Sequence, residues 1–413
     1  MTKPRGCGTT GVGLRTENAS LVDMQFGVRY RARVGLRANR PPLNLPNASR
    51  FLSMTCHLAQ TLRRALIPCL ALAGISLSSC GPDGREPTSP EFDAANLAQG
   101  SQPPGLAKAL AAQARHTDRL LRLNGIVGTA VGLRADGQAE VQLFTKSPGM
   151  RGLPARLDGV PVSVVVTGEI RALPAVATAP KAVSAAAVSR TARLSRPVPI
   201  GVSTGNQGEC SSGTIGARVK SGTATFALSN NHVYALENTA PVGSNVLQPG
   251  RYDLNCASGS NALLGKLSKY VKITFSTSAS NKVDAAIAAA STANLGRSTP
   301  SDGYGTPRST TVAAALNQVV QKYGRTTGYT SGSVVGLNAT VKVEYSHGIA
   351  RFVGQIMIRG KGRFSQGGDS GSLIVDANRR PVGLLFAGSK NGYTFANQIG
   401  QVLSALGVSV DGT

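Results

Sequence analysis

From Gly201 to the end of the chain, apolar residues come in short runs broken by Gly, Asn, Ser and Asp. Representative runs are "GTIGARVK", "ATFALSN", "VDAAIAAA", "GSVVGL", "FVGQIMI", "GSLIV" and "VGLLFAG". No helical period appears until "NQIGQVLSAL" near the C-terminus. Many short strands at this spacing predict an all-β barrel or sandwich over 201–413.

Upstream the pattern changes. "LAKALAAQARHTDRLLRLNGI", from Leu106, has helical spacing. "VGTAVGLRADGQAEVQLFT" then reads as two strands around an Asp136-Gly137 turn, and "VPVSVVVTGEI" as a third. Residues 106–172 therefore form a small α/β module. Residues 173–200 change to Ala, Pro, Val and Ser and read as a linker. Its Arg190, Arg193 and Arg196 are expected as solvated charges open to nicking.

The first hundred residues contain no comparable strand pattern. "MTCHLAQTLRRALIPCLALAGISLSSC", residues 54–80, has basic Arg63 and Arg64, an apolar stretch from Ala65 to Ile75, and small residues before Cys80. That is the layout of a secretory signal. The stretch is shorter than the roughly 20 apolar residues that span a bilayer, and it contains Pro68. Its ending, Leu77-Ser78-Ser79-Cys80-Gly81, resembles a bacterial lipobox, which would make Cys80 a lipidation site and the only membrane attachment. Residues 81–105 are rich in Pro, Gly and polar side chains and read as a flexible tether. An internal signal makes residues 1–53 a misassigned N-terminal extension. The expected location is the bacterial cell envelope or the outside of the cell.

Charge changes this picture little. The chain of 413 residues has a net charge of +24, and such a surface favours polyanions only weakly and without sequence preference. Residues 1–53 hold nine Lys or Arg against Glu17 and Asp23. There is no Trp and no nucleic-acid motif, so a specific nucleic-acid partner is not expected. "GCGTTG" at 6–11 matches a dinucleotide fingerprint formally but follows no strand.

The chemistry centres on "SQGGDSGSLIV", residues 365–375. A serine hydroxyl becomes a nucleophile when a neighbouring base accepts its proton, so Ser370 needs a histidine. His57 lies in the signal, His116 on the amphipathic helix, and His347 at a hairpin turn. His232, in "ATFALSNNHVYA", stands where an apolar strand runs into a polar turn. The third member is a buried carboxylate that fixes the imidazole tautomer. Asp284 is a lone charge inside "KVDAAIAAA" and must be paired there. A structural ion pair or a strand-start cap is the competing reading of Asp284. Asp253 and Asp302 look like turn residues, and Glu344 is expected to face water.

The order His232, Asp284, Ser370 excludes the α/β-hydrolase arrangement, in which the histidine comes last. It resembles the chymotrypsin-like (trypsin-fold) serine peptidases, whose G-D-S-G-G signature "GDSGS" approaches. "FALSNNHVYA", "LQPGRYD", "VDAAIA", "GRTTGYTSG", "GGDSGSLIV" and "FANQIGQVLSAL" are similar to a bacterial group related to the plant narrow-leaf proteins. The resemblance covers residues 201 to about 407. It implies a mainly β fold of two six-stranded barrels with the site between them, no metal and no cofactor. It further implies an oxyanion hole from the N–H groups of Gly368 and Ser370, and a substrate-pairing strand edge at Ala387 and Gly388. Phe364 or Ser365 would lie near the pocket floor. Neither is acidic, so a preference for Lys or Arg is not expected.

The resulting expectation is a serine endopeptidase acting on protein or peptide substrates, with a catalytically weak binding protein on the same fold as the alternative. Asn230-Asn231 and Ser372 depart from the family pattern, and no clear activation sequence precedes the domain. How Asp369 is held is left open. Cys210 and Cys256 flank the His232 region and can form a disulfide in an oxidising envelope. The module at 106–172 is expected to act as a folding aid or inhibitor.

Overall fold

Strand alternation in 201–413 produces two closed sheets. The computed structural model describes residues 102–172 and 189–413; the signal, Cys80, most of the tether and residues 173–188 lie outside them. The first barrel runs through Ser203–Asn206, Gly213–Thr214, Ala217–Ser221, Ala224–Ser229, Asn245–Leu247, Leu263–Tyr270 and Ala286–Ala289. The two ends of this sheet, Gly213–Thr214 and Ala217–Ser221, are joined by only Ile215 and Gly216, so the sheet must curl on itself. Ser409–Val410 adds to the Ala217–Ser221 edge.

The second barrel contains Val319–Gly324, Gly328–Tyr345, Gly348–Gly360, Leu373–Asp376, Pro381–Ser389 and Tyr393–Gln398. Val319–Gly324 pairs with both Gly328–Tyr345 and Leu373–Asp376, which closes six strands. The C-terminal helix, Ile399–Leu406, buries Ile399, Val402, Leu403 and Leu406. These join one cluster with Ala217, Leu228 and Ile287 of the first barrel and Leu373 and Leu384 of the second. Burying such a side chain is worth about 1.5–3 kcal/mol, so this cluster cements the barrels together.

The helix and three strands expected upstream are present as Leu106–Leu121, Ile126–Leu133, Ala139–Thr145 and Val160–Val166. Their sheet does not stop there. Ile126–Leu133 pairs antiparallel with Gly328–Tyr345, so the upstream strands continue the sheet of the second barrel. The helix explains the docking, because it buries Gln113 and Thr117 as well as its apolar face. Gln113 Nε2 donates to the Asn338 carbonyl at 2.8 Å, and Lys342 Nζ donates to the Leu121 carbonyl at 2.6 Å. Val127, Phe144, Ile170 and Ala172 share a core with Phe352, Phe386 and Phe395 of the second barrel.

The three arginines expected as solvated linker charges are not free in solvent. Arg190 donates to the Arg325 carbonyl, Arg193 to the Asn261 carbonyl and Arg196 to the Leu263 carbonyl. Guanidinium forks satisfy carbonyls at strand ends, and so the segment from 189 to 200 is laid onto the barrels.

Candidate functional site

The strand Ala224–Ser229 ends in a single helical turn, Asn231–Tyr234, which carries His232 into the interior. Asp284 precedes the strand Ala286–Ala289, which pairs with Ala224–Ser229, so both residues reach the same barrel edge. Asp284 is fully buried and His232 is 6% exposed. Their side chains meet with Nδ1 to Oδ2 at 2.6 Å, and the His232 main-chain N–H donates to Oδ1 at 3.2 Å. A carboxylate only accepts, so Nδ1 is the donor and a neutral ring carries its lone pair on Nε2. Nε2 is buried and has no hydrogen bond among the described residues.

The residues that departed from the expected pattern hold this pair in place. Asn230 Nδ2 donates to the Asp284 carbonyl at 2.7 Å, and Asn397 Oδ1 accepts from the Asp284 N–H at 3.0 Å. Asn231 Nδ2 donates to the Val271 carbonyl at 2.7 Å and to Asn238 Oδ1 at 2.8 Å. Tyr345 is a residue the sequence reading missed; its hydroxyl donates to Asp284 Oδ2 at 2.9 Å. Its only sequence signal was its place beside the hairpin turn at His347, which the structure puts at the tip of Gly328–Tyr345 and Gly348–Gly360.

Ser370 is buried, on the loop between Gly360 and Leu373. Its Oγ lies 3.5 Å from the Phe386 carbonyl. The loop packs on the first-barrel strand Gly213–Thr214: Thr214 N–H donates to the Ser370 carbonyl at 2.8 Å, and Thr214 Oγ1 to the Gly368 carbonyl at 2.8 Å. Gly371 has φ +91°, and a Cβ there would collide with Ser229 Oγ and the Thr214 carbonyl. Gly368, at φ +92°, would collide with Thr326 and Arg325. These two glycines are required by close approach as well as by backbone conformation. Ser372 replaces a third glycine without strain, its Oγ donating to the Asp369 carbonyl at 2.6 Å.

Asp369 is held by main-chain N–H groups and a hydroxyl. Its carboxylate accepts from the N–H groups of Thr326, Thr327 and Gln366 at 2.8, 3.1 and 2.9 Å and from Thr327 Oγ1 at 2.7 Å. Lys322, itself fully buried, lies 3.8 Å from it. Burial pushes the Lys322 ammonium down to about 8, although the Asp369 charge opposes this.

A cleft of about 1380 Å³ lies in front of His232. Ser365 lines it, with Oγ 2.6 Å from Thr394 Oγ1. Phe364 does not serve as a pocket floor: it is 1% exposed and belongs to the second barrel's core, where the aromatic ring gains most from burial. Ala387 and Gly388, expected as a substrate-pairing edge, are already paired. Ala172 lies opposite Ala387, Arg171 opposite Gly388 and Ile170 opposite Ser389, all antiparallel. The short strand Ile170–Ala172 thus lies in the cleft and contributes Arg171 and Ala172 to its wall. Its other edge pairs through Arg171 with Glu344, whose carboxylate lies 3.2 Å from the Arg171 guanidinium. Glu344 was expected to face water and instead bridges Arg171 and Lys146.

Across the cleft mouth, Glu237 accepts from Ser346 and His347, with His347 Nδ1 at 2.6 Å. Burial alone would raise the Glu237 carboxyl, but these hydrogen bonds outweigh it and hold it below its ordinary value. Asp253 is more than a turn residue: in the short 3-10 turn Arg251–Leu254, it forms a buried pair with Arg325. His116, on the upstream helix, meets Asp158 with Nε2 at 3.0 Å. Cys210 and Cys256 form a disulfide. Among the described residues no cluster of His, Cys, Asp or Glu could hold a metal ion, and no helix is long and apolar enough to cross a membrane.

No family model matches the chain. Over 101 residues it is 40% identical to streptogrisin-A of Streptomyces griseus, which covers 24% of this chain and 32% of that protein. The chain thus spans about a third of the length of that curated relative. Among solved structures it is similar to a glutamic acid-specific serine protease that uses a histidine triad in substrate binding. That match is 21% identical, covering 52% of this chain and 100% of the other, at a TM-score of 0.38. Thermobifida fusca protease A matches at 19% identity over 52% of this chain and 100% of its own, TM-score 0.38. Alpha-lytic protease homolog N4 matches at 17% over 51% and 99%, TM-score 0.36. The likeness is to bacterial chymotrypsin-like serine proteases.

Proposed function

We propose that this chain is a serine endopeptidase working through His232, Asp284 and Ser370, and that its own 102–172 region keeps it latent. The observation that carries the reading is the buried Nδ1 to Oδ2 contact of 2.6 Å, beside the loop that bears Ser370. A buried carboxylate on Nδ1 makes the ring a base at Nε2 and stabilises the imidazolium that forms.

In the proposed cycle Ser370 Oγ attacks the substrate carbonyl carbon while Nε2 of His232 takes its proton. The oxygen becomes an oxyanion, which the N–H groups of Gly368 and Ser370 stabilise; one such donor is worth about 100- to 1,000-fold in rate. His232 then gives its proton to the leaving amine, the C–N bond breaks, and Ser370 is left acylated. Water, deprotonated by His232, attacks the acyl carbon, and Ser370 recovers its proton. Asp284 stays ionised throughout.

Latency rests on the strand Ile170–Ala172, which uses the sheet edge a substrate would need. The substrate class is protein or peptide. Export to the bacterial envelope, with a lipid anchor at Cys80, remains part of the proposal and follows from the sequence alone.

A peptide-library digest tests the reading. The full chain, nicked within 173–188, is expected to cleave peptides at a rate at least about 1,000-fold above that of Ser370→Ala. Equal digestion by the two proteins would overturn it. A fluorophosphonate probe should label the native protein and leave Ser370→Ala unlabelled.

A further inference from the structure

The hairpin tip Tyr345-Ser346-His347 belongs to the second barrel, yet its polar atoms serve the first. Tyr345 donates to Asp284 Oδ2 at 2.9 Å, the same oxygen that receives His232 Nδ1. Its ring stands edge-on to the imidazole, centroids 6.0 Å apart, and packs on Phe275 and Phe352. Ser346 and His347 then grip Glu237 through their N–H groups at 3.1 and 2.9 Å and through Ser346 Oγ at 2.8 Å. Glu237 follows His232 closely in the chain, so the grip fixes the tip to the element that carries the imidazole.

We infer that Tyr345 is a positioning residue for the His232–Asp284 pair, held in place by a latch between its hairpin tip and Glu237. The inference rests on the proposed peptidase reading, since it concerns how that pair is tuned.

The physical reason is the shared oxygen. A hydroxyl that donates to Oδ2 draws off part of the carboxylate charge and limits rotation of the carboxylate, so the imidazole is held in one plane. The groups facing the phenol are Asp284, His232 and Glu237 from the first barrel; on the tip itself, Glu344 precedes it and His347 meets Glu237. Burial, then the neighbouring Asp284 charge, holds the Tyr345 hydroxyl well above its ordinary titration range. It is therefore a donor across the neutral range. Without it, Oδ2 would be a stronger partner for the imidazolium, and the ring would protonate at higher pH.

The experiment compares the full chain with Tyr345→Phe, which keeps the ring packing. The low-field proton resonance of His232 Nδ1–H is followed against pH. In Tyr345→Phe the midpoint is expected to move up by about 0.5–1 pH unit. In nicked protein kcat should fall about 3- to 10-fold, with KM changed less than about twofold. Glu237→Gln, which leaves the phenol in place, should move the midpoint the same way by a smaller amount. An unchanged midpoint in Tyr345→Phe, in a protein that melts as the native one does, overturns the inference. Because the resonance does not depend on turnover, it decides this point even if Ser370→Ala shows that the chain hydrolyses nothing.

Discussion

Two buried carboxylates, one in each barrel, have different surroundings. Asp284, at the edge of the first barrel, is met by one ring nitrogen, one hydroxyl and one main-chain N–H. No Lys or Arg forms an ion pair with it among the described residues. Asp369, on the loop that bears Ser370, is enclosed by three main-chain N–H groups, a threonine hydroxyl and the Lys322 ammonium. The first acid leaves its charge available to an imidazole. The second is neutralised where it sits and serves as a fixed post for the loop. The contrast teaches that two equally buried acids can have partners of different chemistry, one a ring nitrogen able to change protonation and the other a set of fixed main-chain N–H groups.

The largest effect expected is on the first acid. Asp284→Asn should lower kcat by about 10,000-fold, because an amide no longer enforces the Nδ1–H tautomer, while the melting temperature changes little. Steady-state kinetics and a thermal melt measured together check this. A large loss of stability with little loss of rate would reverse the roles assigned to the two acids.

Lys322→Met comes next and should act mainly through stability. Removing one partner of a buried pair costs about 3–5 kcal/mol, readable in the urea midpoint. The same pair sets a pH dependence. Lys322 has a folded-state pKa of about 8, below its ordinary 10.5, so between those values the unfolded chain binds the extra proton. By linkage this group makes global stability rise with pH across that window. Activity should move the other way, falling as pH rises through about 8, because Asp369 loses its cation. An alkaline limb unchanged in Lys322→Met would dissociate the limb from this lysine.

The smallest effect concerns the strand Ile170–Ala172, which lines the cleft. Arg171→Pro removes an N–H from a strand flanked on both edges, by Glu344 and Gly388. Hydrolysis by the un-nicked chain should rise about 5- to 10-fold, as expected for loss of one net hydrogen bond. A rate that does not change would argue against latency through this strand.

The pairing of His232 with Asp284 was legible in the residues. A serine needs a base and a base needs an orienting acid, and among four histidines and few buried acids that requirement selects His232 and Asp284. Tyr345 and Lys322 were not legible. Lys322 lies within "VVQKYG", where an alternating strand suggests a solvent-facing lysine, yet it is fully buried. Tyr345 resembles any aromatic near a turn. Ile170–Ala172 is three residues with no period to detect.

The division follows range. Turn chemistry and strand alternation follow from residue types and local spacing, and the chain by itself determined them. Only the folded molecule decided which strand lies along Ala387 and Gly388, which hydroxyl reaches Asp284 and which cation holds Asp369. Those contacts join segments far apart in the chain, and their register is set by barrel closure and by the apolar faces that meet when the upstream sheet extends the second barrel.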